Sequence, residues 1–172
     1  SQEVASLSLT EDYGNEFVNP YNYNDDFAQY VFNFWQYLDY RASWHGTVTN
    51  PTPDSLFDPE AGWWERAYEF GVLNIPNPAY TNAAHKNGVQ SLGCIFFPRQ
   101  EHTDDWVFQD EEGNFPMADK LVEIANWYGF DGYFINAEEA RPADFMPVYE
   151  EFVRAMTEQG LYVQVYASNL YG

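Results

Sequence analysis

The stretch that decides the fold is residues 128–138, YGFDGYFINAE. Its apolar centre is typical of a buried strand, and it ends in two polar side chains, Asn136 and Glu138. Because side chains alternate across a strand, these two share a face about 6.5–7 Å apart, while Ile135 and Ala137 point the other way. A (β/α) barrel carries its chemistry at the C-terminal ends of its strands, so this stretch predicts an enzyme.

Helical and strand patterns alternate on both sides of this stretch. Apolar residues at helical spacing, with glycine or proline at several ends, predict helices over 25–37, 63–70, 80–86, 116–128 and 147–159. Short apolar runs predict further strands over 38–44, 72–75, 89–97 and 161–166. A long acidic loop is predicted between the strand at 89–97 and the helix at 116–128, through Asp104, Asp105 and Asp110.

This alternation predicts an α/β protein made of parallel βαβ units. About five strands are predicted, whereas a (β/α)8 TIM barrel needs eight strands and about 250 residues. The chain of 172 residues is therefore either an open doubly wound sheet or about the first five βα units of a TIM barrel. The first strand–helix turn has no glycine-rich phosphate loop, which favours the barrel.

The predicted organisation has two parts. Residues 1–24 are polar, lack strong periodicity and are predicted to be an N-terminal segment that leads into the domain. Residues 25–172 are predicted to be the first part of a TIM-barrel catalytic domain. The remainder of the barrel is expected to be missing or to lie on another chain.

The composition favours a neutral substrate. Seven Lys and Arg against 27 Asp and Glu give a net charge of −20, which opposes binding to nucleic acid or to an anionic membrane. Aromatic residues make up 20% of the chain, and their flat faces and polar tips suit stacking on sugar rings, although core packing explains many of them equally well.

Cofactors and compartment are constrained less directly. Cys94 is the single cysteine, and His45 and His102 have no partner at metal-ligand spacing, so no metal is expected. No run of residues approaches a membrane span, and the N-terminus lacks the regions of a signal peptide. A secreted or cell-surface bacterial location is favoured, and a cytosolic one stays open.

Glu138 is the candidate proton donor. Desolvation in an aromatic-lined cleft lets a carboxyl group donate a proton near neutral pH, as glycoside hydrolysis requires. Retaining glycosidases usually add a second carboxylate about 5–5.5 Å away, but Asn136 holds that place and cannot be a nucleophile. A 2-acetamido sugar brings its own nucleophilic oxygen and needs only a group that orients its amide. The alternative is that Asn136 and Glu138 merely hydrogen-bond a neighbouring loop.

Four ordered blocks resemble glycoside hydrolase family 85, the endo-β-N-acetylglucosaminidases. Residues 130–138 resemble the catalytic strand, and the other blocks are FWQYLD at 34–39, NAAHKNGV at 82–89 and LGCIFFP at 92–98. The resemblance implies a TIM-barrel enzyme that cleaves the β-1,4 bond of the N,N'-diacetylchitobiose core of N-glycans or glycoproteins. It also implies retention through an oxazolinium intermediate, with transfer of the glycan to other acceptors as a further activity. No organic cofactor is expected for this hydrolysis.

The resemblance also assigns residues. Glu138 matches the general acid/base, and Asn136 matches the group that orients and polarises the acetamido carbonyl. Tyr166 takes the place of a tyrosine after the fifth strand that assists the same amide. The family usually carries Trp before and Asp after this tyrosine, whereas this chain has Val165 and Ala167.

Three aromatic residues near strand ends, Trp44, Phe97 and Trp106, are candidate sugar-stacking walls, with core or interface packing as the alternative for each. Two other functions stay open at this point. One is an ordinary two-carboxylate retaining glycosidase with Glu138 as acid/base and a nucleophile from strands beyond this chain. The other is a non-catalytic glycan-binding barrel.

Overall fold

A computed structural model describes residues 5–11, 34–44, 60, 73–76, 78–97, 100–137 and 145–166. In these residues one sheet contains β1 (Leu7–Glu11), β2 (Tyr40–Trp44), β3 (Leu73–Asn74), β4 (Gln90–Phe97), β5 (Gly132–Ala137) and β6 (Tyr162–Tyr166). The helices are α1 (Pro78–Lys86), α2 (Gln100–Trp106), α3 (Pro116–Tyr128) and α4 (Phe145–Thr157), and Trp35–Tyr37 form a short 3-10 helix. None of the helices in these ranges is long and apolar enough to span a membrane.

The sheet is built from parallel strands in chain order. β1, β2, β4, β5 and β6 lie side by side in the order in which they occur along the chain, and each pair is parallel. A doubly wound sheet would reverse its order at a switch point and carry helices on both faces. Uninterrupted order is instead a feature of a (β/α) barrel.

The helices of the described residues pack on one face of this sheet. α3 and α4 share a core with Ile95, Phe97, Tyr133 and Ile135, and the Phe97 ring meets Trp106 of α2 edge to face at 5.8 Å. On α1, the Thr81 hydroxyl lies 2.9 Å from the hydroxyl of Ser91, which alternation places on the same face of β4 as Ile95. The described part is therefore a parallel half-barrel, and the doubly wound alternative is wrong.

The larger, helix-side core holds most of the buried apolar side chains. Tyr133, Ile135, Leu121 and Phe152 are fully buried there, and burying each such side chain contributes about 1.5–3 kcal/mol. The Tyr133 hydroxyl donates a 2.7 Å hydrogen bond to the carbonyl of Leu121, so its polar tip is satisfied inside the core. Burial raises the pKa of this phenol well above its usual value, and Tyr133 therefore stays neutral.

A smaller cluster lies on the opposite, interior face. Its buried members are Ala42, Leu92, Cys94 and Phe134, with Leu7, Tyr40 and Tyr162 packed against them. The Tyr40 and Tyr162 rings stack with centroids 4.0 Å apart. Burial, with a smaller contribution from Tyr40, raises the pKa of the Tyr162 phenol. Cys94 is a free thiol buried in this cluster, where it packs as a small apolar side chain.

Two strand predictions need correction. Residues 7–11 fall in the segment that was predicted to precede the domain, yet they form β1 and pair in parallel with β2. The strand predicted at 72–75 is β3, which runs antiparallel to β4 and stands outside the parallel series. The described residues contain five parallel strands, the number predicted, but β1 replaces β3 among them. The alternation of Leu7 and Leu9 with polar residues predicts a strand only weakly, and pairing with β2 stabilises it.

The predicted helices agree with the observed ones to different degrees. α3 has the predicted bounds, begins with proline and ends at Gly129, whose φ of 77° is the left-handed value that glycine adopts readily. α4 lies two residues earlier than predicted, at 145–157 instead of 147–159. The prediction of an acidic loop is wrong at Asp104 and Asp105, which lie on α2. This short helix is stabilised by the burial of Thr103 and by the contact of the Trp106 ring with Phe97. The helices predicted at 25–37 and 63–70 lie outside the described residues, except for the 3-10 turn.

Asp131 joins three strands at the amino end of β5. Its Oδ2 accepts a 2.7 Å hydrogen bond from the backbone N–H of Ser91 and lies 2.7 Å from Nε2 of His85. Its backbone N–H donates to the carbonyl of Ser91, and its carbonyl accepts from the N–H of Tyr162. His85, at the end of α1, therefore ties this helix to the amino end of β5.

Removing the Asp131 carboxylate should weaken the fold more than removing its histidine partner. Asp131→Ala leaves the partly buried N–H of Ser91 without its acceptor, so the free energy of unfolding should fall by about 1–3 kcal/mol. His85→Ala should cost less than about 1 kcal/mol, because the pair is partly exposed and screened by solvent. Urea unfolding of the complete protein measures both, and an equal or larger loss in the histidine variant would contradict this ranking.

Candidate active site

Three side chains form a row across β4, β5 and β6 at the carboxyl ends of these strands. Phe96 is in register with Asn136, and Asn136 is in register with Tyr166. Phe96 and Asn136 follow Cys94 and Phe134 by two residues each, so alternation places the row on the interior face, away from the helices. We call these three residues the carboxyl-end row.

The carboxyl-end row is enclosed at one end and open at the other. Phe96 and Asn136 are 4% and 0% exposed, whereas Tyr166 is 44% exposed. Directly paired residues of neighbouring strands lie about 4.8 Å apart, so each side chain of the row borders the next. The arrangement therefore places an amide between an apolar ring and a solvent-facing phenol.

The sequence correctly predicts that the side chain of Asn136 points to the opposite face of the sheet from those of Ile135 and Ala137. Its neighbours Ile135 and Ala137 are 0% and 1% exposed in the helix-side core, as strand alternation requires. A buried amide makes stronger hydrogen bonds than an exposed one, because the local dielectric constant is low. Such a group can hold a polar substituent in a fixed orientation.

Of the other two predicted catalytic residues, Tyr166 lies within the described residues and Glu138 does not. Glu138 directly follows β5 and lies outside the described residues, so its position beside Asn136 stays a prediction. Tyr166 is the last residue of β6, and its pairing with Asn136 fixes its register. Val165, where the family usually has Trp, packs against the helix-side core. The substitution of Val for Trp therefore falls on the face away from the carboxyl-end row.

Two of the three predicted sugar-stacking walls, Phe97 and Trp106, are not where the sequence analysis placed them. Phe97 is fully buried in the helix-side core, and Trp106 packs against that core, so both lie on the opposite face from Asn136. Their assignment as substrate-binding residues is therefore wrong, and the alternative of core packing is confirmed. Trp44 is the last residue of β2 and pairs with Glu11, but its side chain lies outside the described residues.

Sequence reasoning missed Phe96, the aromatic residue that does lie beside Asn136. The run LGCIFF in β4 is apolar at every position because both faces of the strand are buried. Such a run contains no contrast between polar and apolar positions that would separate Phe96 from Phe97. Strand alternation from Cys94 would have identified Phe96 only if Cys94 had already been known to lie on the interior face.

The two open clefts described among these residues lie away from the carboxyl-end row. One, of about 440 Å³, is at the amino ends of the strands and is lined by residues including Tyr40, Asp131 and Tyr162. The other, of similar volume, is lined by residues of α3 and α4. Barrel chemistry takes place at the carboxyl ends, so neither cleft is the candidate site. Within the described ranges, no group of three or more His, Cys, Asp or Glu side chains is placed to hold a metal ion.

The described residues form a parallel α/β half-barrel with a candidate site at the carboxyl ends of its strands. Comparison with known proteins identifies the family. Residues 13–170 match the profile of glycosyl hydrolase family 85, and the chain belongs to this family.

Several curated relatives are cytosolic endo-beta-N-acetylglucosaminidases. The chain is 30% identical over 153 residues to the protein of Mus musculus, covering 85% of this chain and 16% of that protein. It is 37% identical over 93 residues to the protein of Danio rerio, covering 51% and 13%. The chain thus matches only a small part of the length of these relatives.

Solved structures show the same fold. The glycoside hydrolase domain of Endo-D from Streptococcus pneumoniae R6 aligns with a TM-score of 0.57 and 26% identity, covering 94% of this chain and 24% of that chain. A chitinase from Bacteroides thetaiotaomicron aligns with a TM-score of 0.53 over 95% of this chain and 46% of that one. At 14% identity, the second comparison concerns the fold alone.

Proposed function

We propose that this chain supplies part of the catalytic (β/α)8 barrel of an endo-β-N-acetylglucosaminidase. Its substrate is an N-glycan or glycoprotein, and it cleaves the β-1,4 bond of the N,N'-diacetylchitobiose core with retention. The family of the chain supports this class of activity. The observation that carries the proposal is the register of Asn136 with Tyr166 on the interior face of the sheet.

The proposed mechanism is substrate-assisted. The acetamido oxygen of the substrate attacks the anomeric carbon while Glu138 protonates the departing glycosidic oxygen, which gives an oxazolinium intermediate. Glu138 then removes a proton from an incoming water molecule, which opens the intermediate and restores the acetamido group. A sugar hydroxyl in place of water gives transglycosylation.

The carboxyl-end row suits the first of these steps. Asn136 would orient and polarise the acetamido group, and the phenol of Tyr166 would hydrogen-bond the same group from β6. Both side chains project from paired strands, so they are preorganised and need little reordering as charge develops. The buried position of Asn136 strengthens this interaction.

Asn136→Ala is expected to lower the rate of hydrolysis of an intact N-glycan by about 10²–10³-fold, the usual cost of losing one preorganised polar contact. The measurement is kcat/KM of the complete protein on a chitobiose-core substrate. Asn126→Ala is the matched control, because Asn126 is an exposed asparagine on α3. This control should retain wild-type activity.

An oxazoline mimic separates the proposed function from its alternatives. A GlcNAc-thiazoline should inhibit the wild-type protein, since it resembles the cyclic intermediate. Near wild-type hydrolysis by Asn136→Ala together with insensitivity to the thiazoline would instead indicate a two-carboxylate glycosidase. Glycan binding by the complete wild-type protein without any cleavage would indicate a non-catalytic barrel.

A further inference from the structure

β4 ends in two adjacent phenylalanines that face opposite sides of the sheet. Phe97 is fully buried in the helix-side core. Phe96 is 4% exposed and lies in register with Asn136 on the interior face. Within the described residues, Phe96 belongs to neither of the two apolar clusters. The packing of these clusters therefore does not account for the aromatic ring at this position.

The position of Phe96 makes it a neighbour of the Asn136 amide. Paired residues on adjacent strands are about 4.8 Å apart and project from the same face, so an apolar ring borders the amide on the β4 side. The phenol of Tyr166 borders it on the β6 side and is the exposed end of the row. Phe96 and Asn136 thus form the buried end of the row, where the apolar ring and the amide are adjacent.

A 2-acetamido group has an amide and a methyl group, which match the Asn136 amide and the Phe96 ring respectively. Its amide requires hydrogen bonding, which Asn136 supplies in the proposed function, and its methyl group gains from leaving water for an apolar contact. We infer that Phe96 determines acyl-chain specificity by forming the wall against which the acetamido methyl group packs. This inference rests on the proposed function and concerns which 2-acylamido substrates the same site accepts.

The size of the effect follows from how apolar pockets discriminate. One methylene more or fewer changes specificity by about 10–200-fold. The Phe96 ring should therefore disfavour a 2-propanamido sugar relative to a 2-acetamido sugar. Phe96→Ala removes the wall, so the preference for the shorter acyl group should fall by about tenfold or more.

The experiment uses the complete protein and two synthetic sugar oxazolines derived from the N-glycan core, one with a methyl and one with an ethyl substituent on the oxazoline ring. The measured quantity is the ratio of kcat/KM for the methyl donor to kcat/KM for the ethyl donor. Phe96→Leu is included because it conserves apolar character, and it should move the ratio in the same direction as Phe96→Ala. A ratio does not depend on the fraction of active protein, so partial misfolding of either variant does not obscure the result.

Phe97→Ala is the matched control. It removes the same side chain from the adjacent position, on the opposite face of the sheet, so it should destabilise the fold and leave the donor ratio unchanged. Wild-type ratios in both Phe96 variants would overturn the inference while leaving the proposed function intact, provided that the wild-type protein uses the methyl donor. A wild-type protein that processes neither this donor nor intact glycan would overturn the proposed function itself.

Discussion

Glu138→Gln is expected to lower hydrolysis of intact N-glycans by about 10²–10⁴-fold, the contribution of general acid catalysis. The substitution preserves the size and shape of the side chain but removes the proton that the leaving oxygen needs. The test is a comparison of kcat on a chitobiose-core substrate for the complete wild-type and variant proteins. Near wild-type hydrolysis by the variant would show that Glu138 is not the acid.

A preformed sugar oxazoline distinguishes the role of Glu138 from that of Asn136. In the proposed function, this donor bypasses the step in which the acetamido group cyclises, which is the step assigned to Asn136. It would still require a base that activates the incoming acceptor, which is the second role proposed for Glu138. Asn136→Ala should therefore transfer glycan from the oxazoline, whereas Glu138→Gln should do so poorly.

Glu139→Gln is the matched control for this pair. It neutralises the neighbouring carboxylate, which alternation predicts to face away from Glu138 if the strand continues. This variant should retain hydrolysis and transfer close to the wild-type rates. Equal losses in the Glu138 and Glu139 variants would indicate a general effect of charge in this segment instead of a specific proton donor.

Gly132→Ala is expected to have the largest effect on folding. A Cβ atom at this position would lie 1.8 Å from the carbonyl oxygen of Tyr162 and 2.6 Å from its carbonyl carbon. These are backbone atoms of the paired strand, so the overlap can be relieved only by separating β5 from β6. The expected loss is about 3 kcal/mol or more, the upper end of the usual cost of overpacking.

The measurement is the urea midpoint of the complete protein, with Gly160→Ala as the control. Gly160 also has a positive φ, 94°, but a Cβ atom there would meet nothing within 4 Å. Its replacement should cost only about 1–2 kcal/mol, the usual penalty for a residue with a Cβ atom in a left-handed conformation. The Gly132 variant should in addition lose activity, because moving β6 breaks the register of Asn136 with Tyr166. Equal destabilisation by the two alanines would contradict the steric argument.

The strands and helices that could be predicted were those with a strong local signal. α3 has both an apolar stripe and a terminal glycine, and its predicted bounds are those in the structure. β1 and α2 were missed because their own sequences are polar. β1 is stabilised by pairing with β2, and α2 by the burial of Thr103 and the contact of Trp106 with Phe97.

The sequence by itself determined the class of fold and the identity of the central polar residue. Alternation along 128–138 placed Asn136 at the end of a strand, opposite in direction to Ile135 and Ala137, and the structure confirms this presentation. The motif that ends in Glu138 also indicated the correct family. The orientation of Asn136 is a local feature, since it depends on the order of residues within one strand, whereas the class of fold and the family follow from patterns distributed along the chain.

Only the tertiary structure decided which residues accompany Asn136. The register of β4 with β5 and of β5 with β6 brings Phe96 and Tyr166 to its two sides and sends Phe97 into the helix-side core. In a strand that is apolar throughout, the sequence does not indicate which face of the sheet each of two adjacent phenylalanines occupies. The choice is made by hydrogen-bond pairing between strands and by the helices that cover one face, which are interactions between distant parts of the chain.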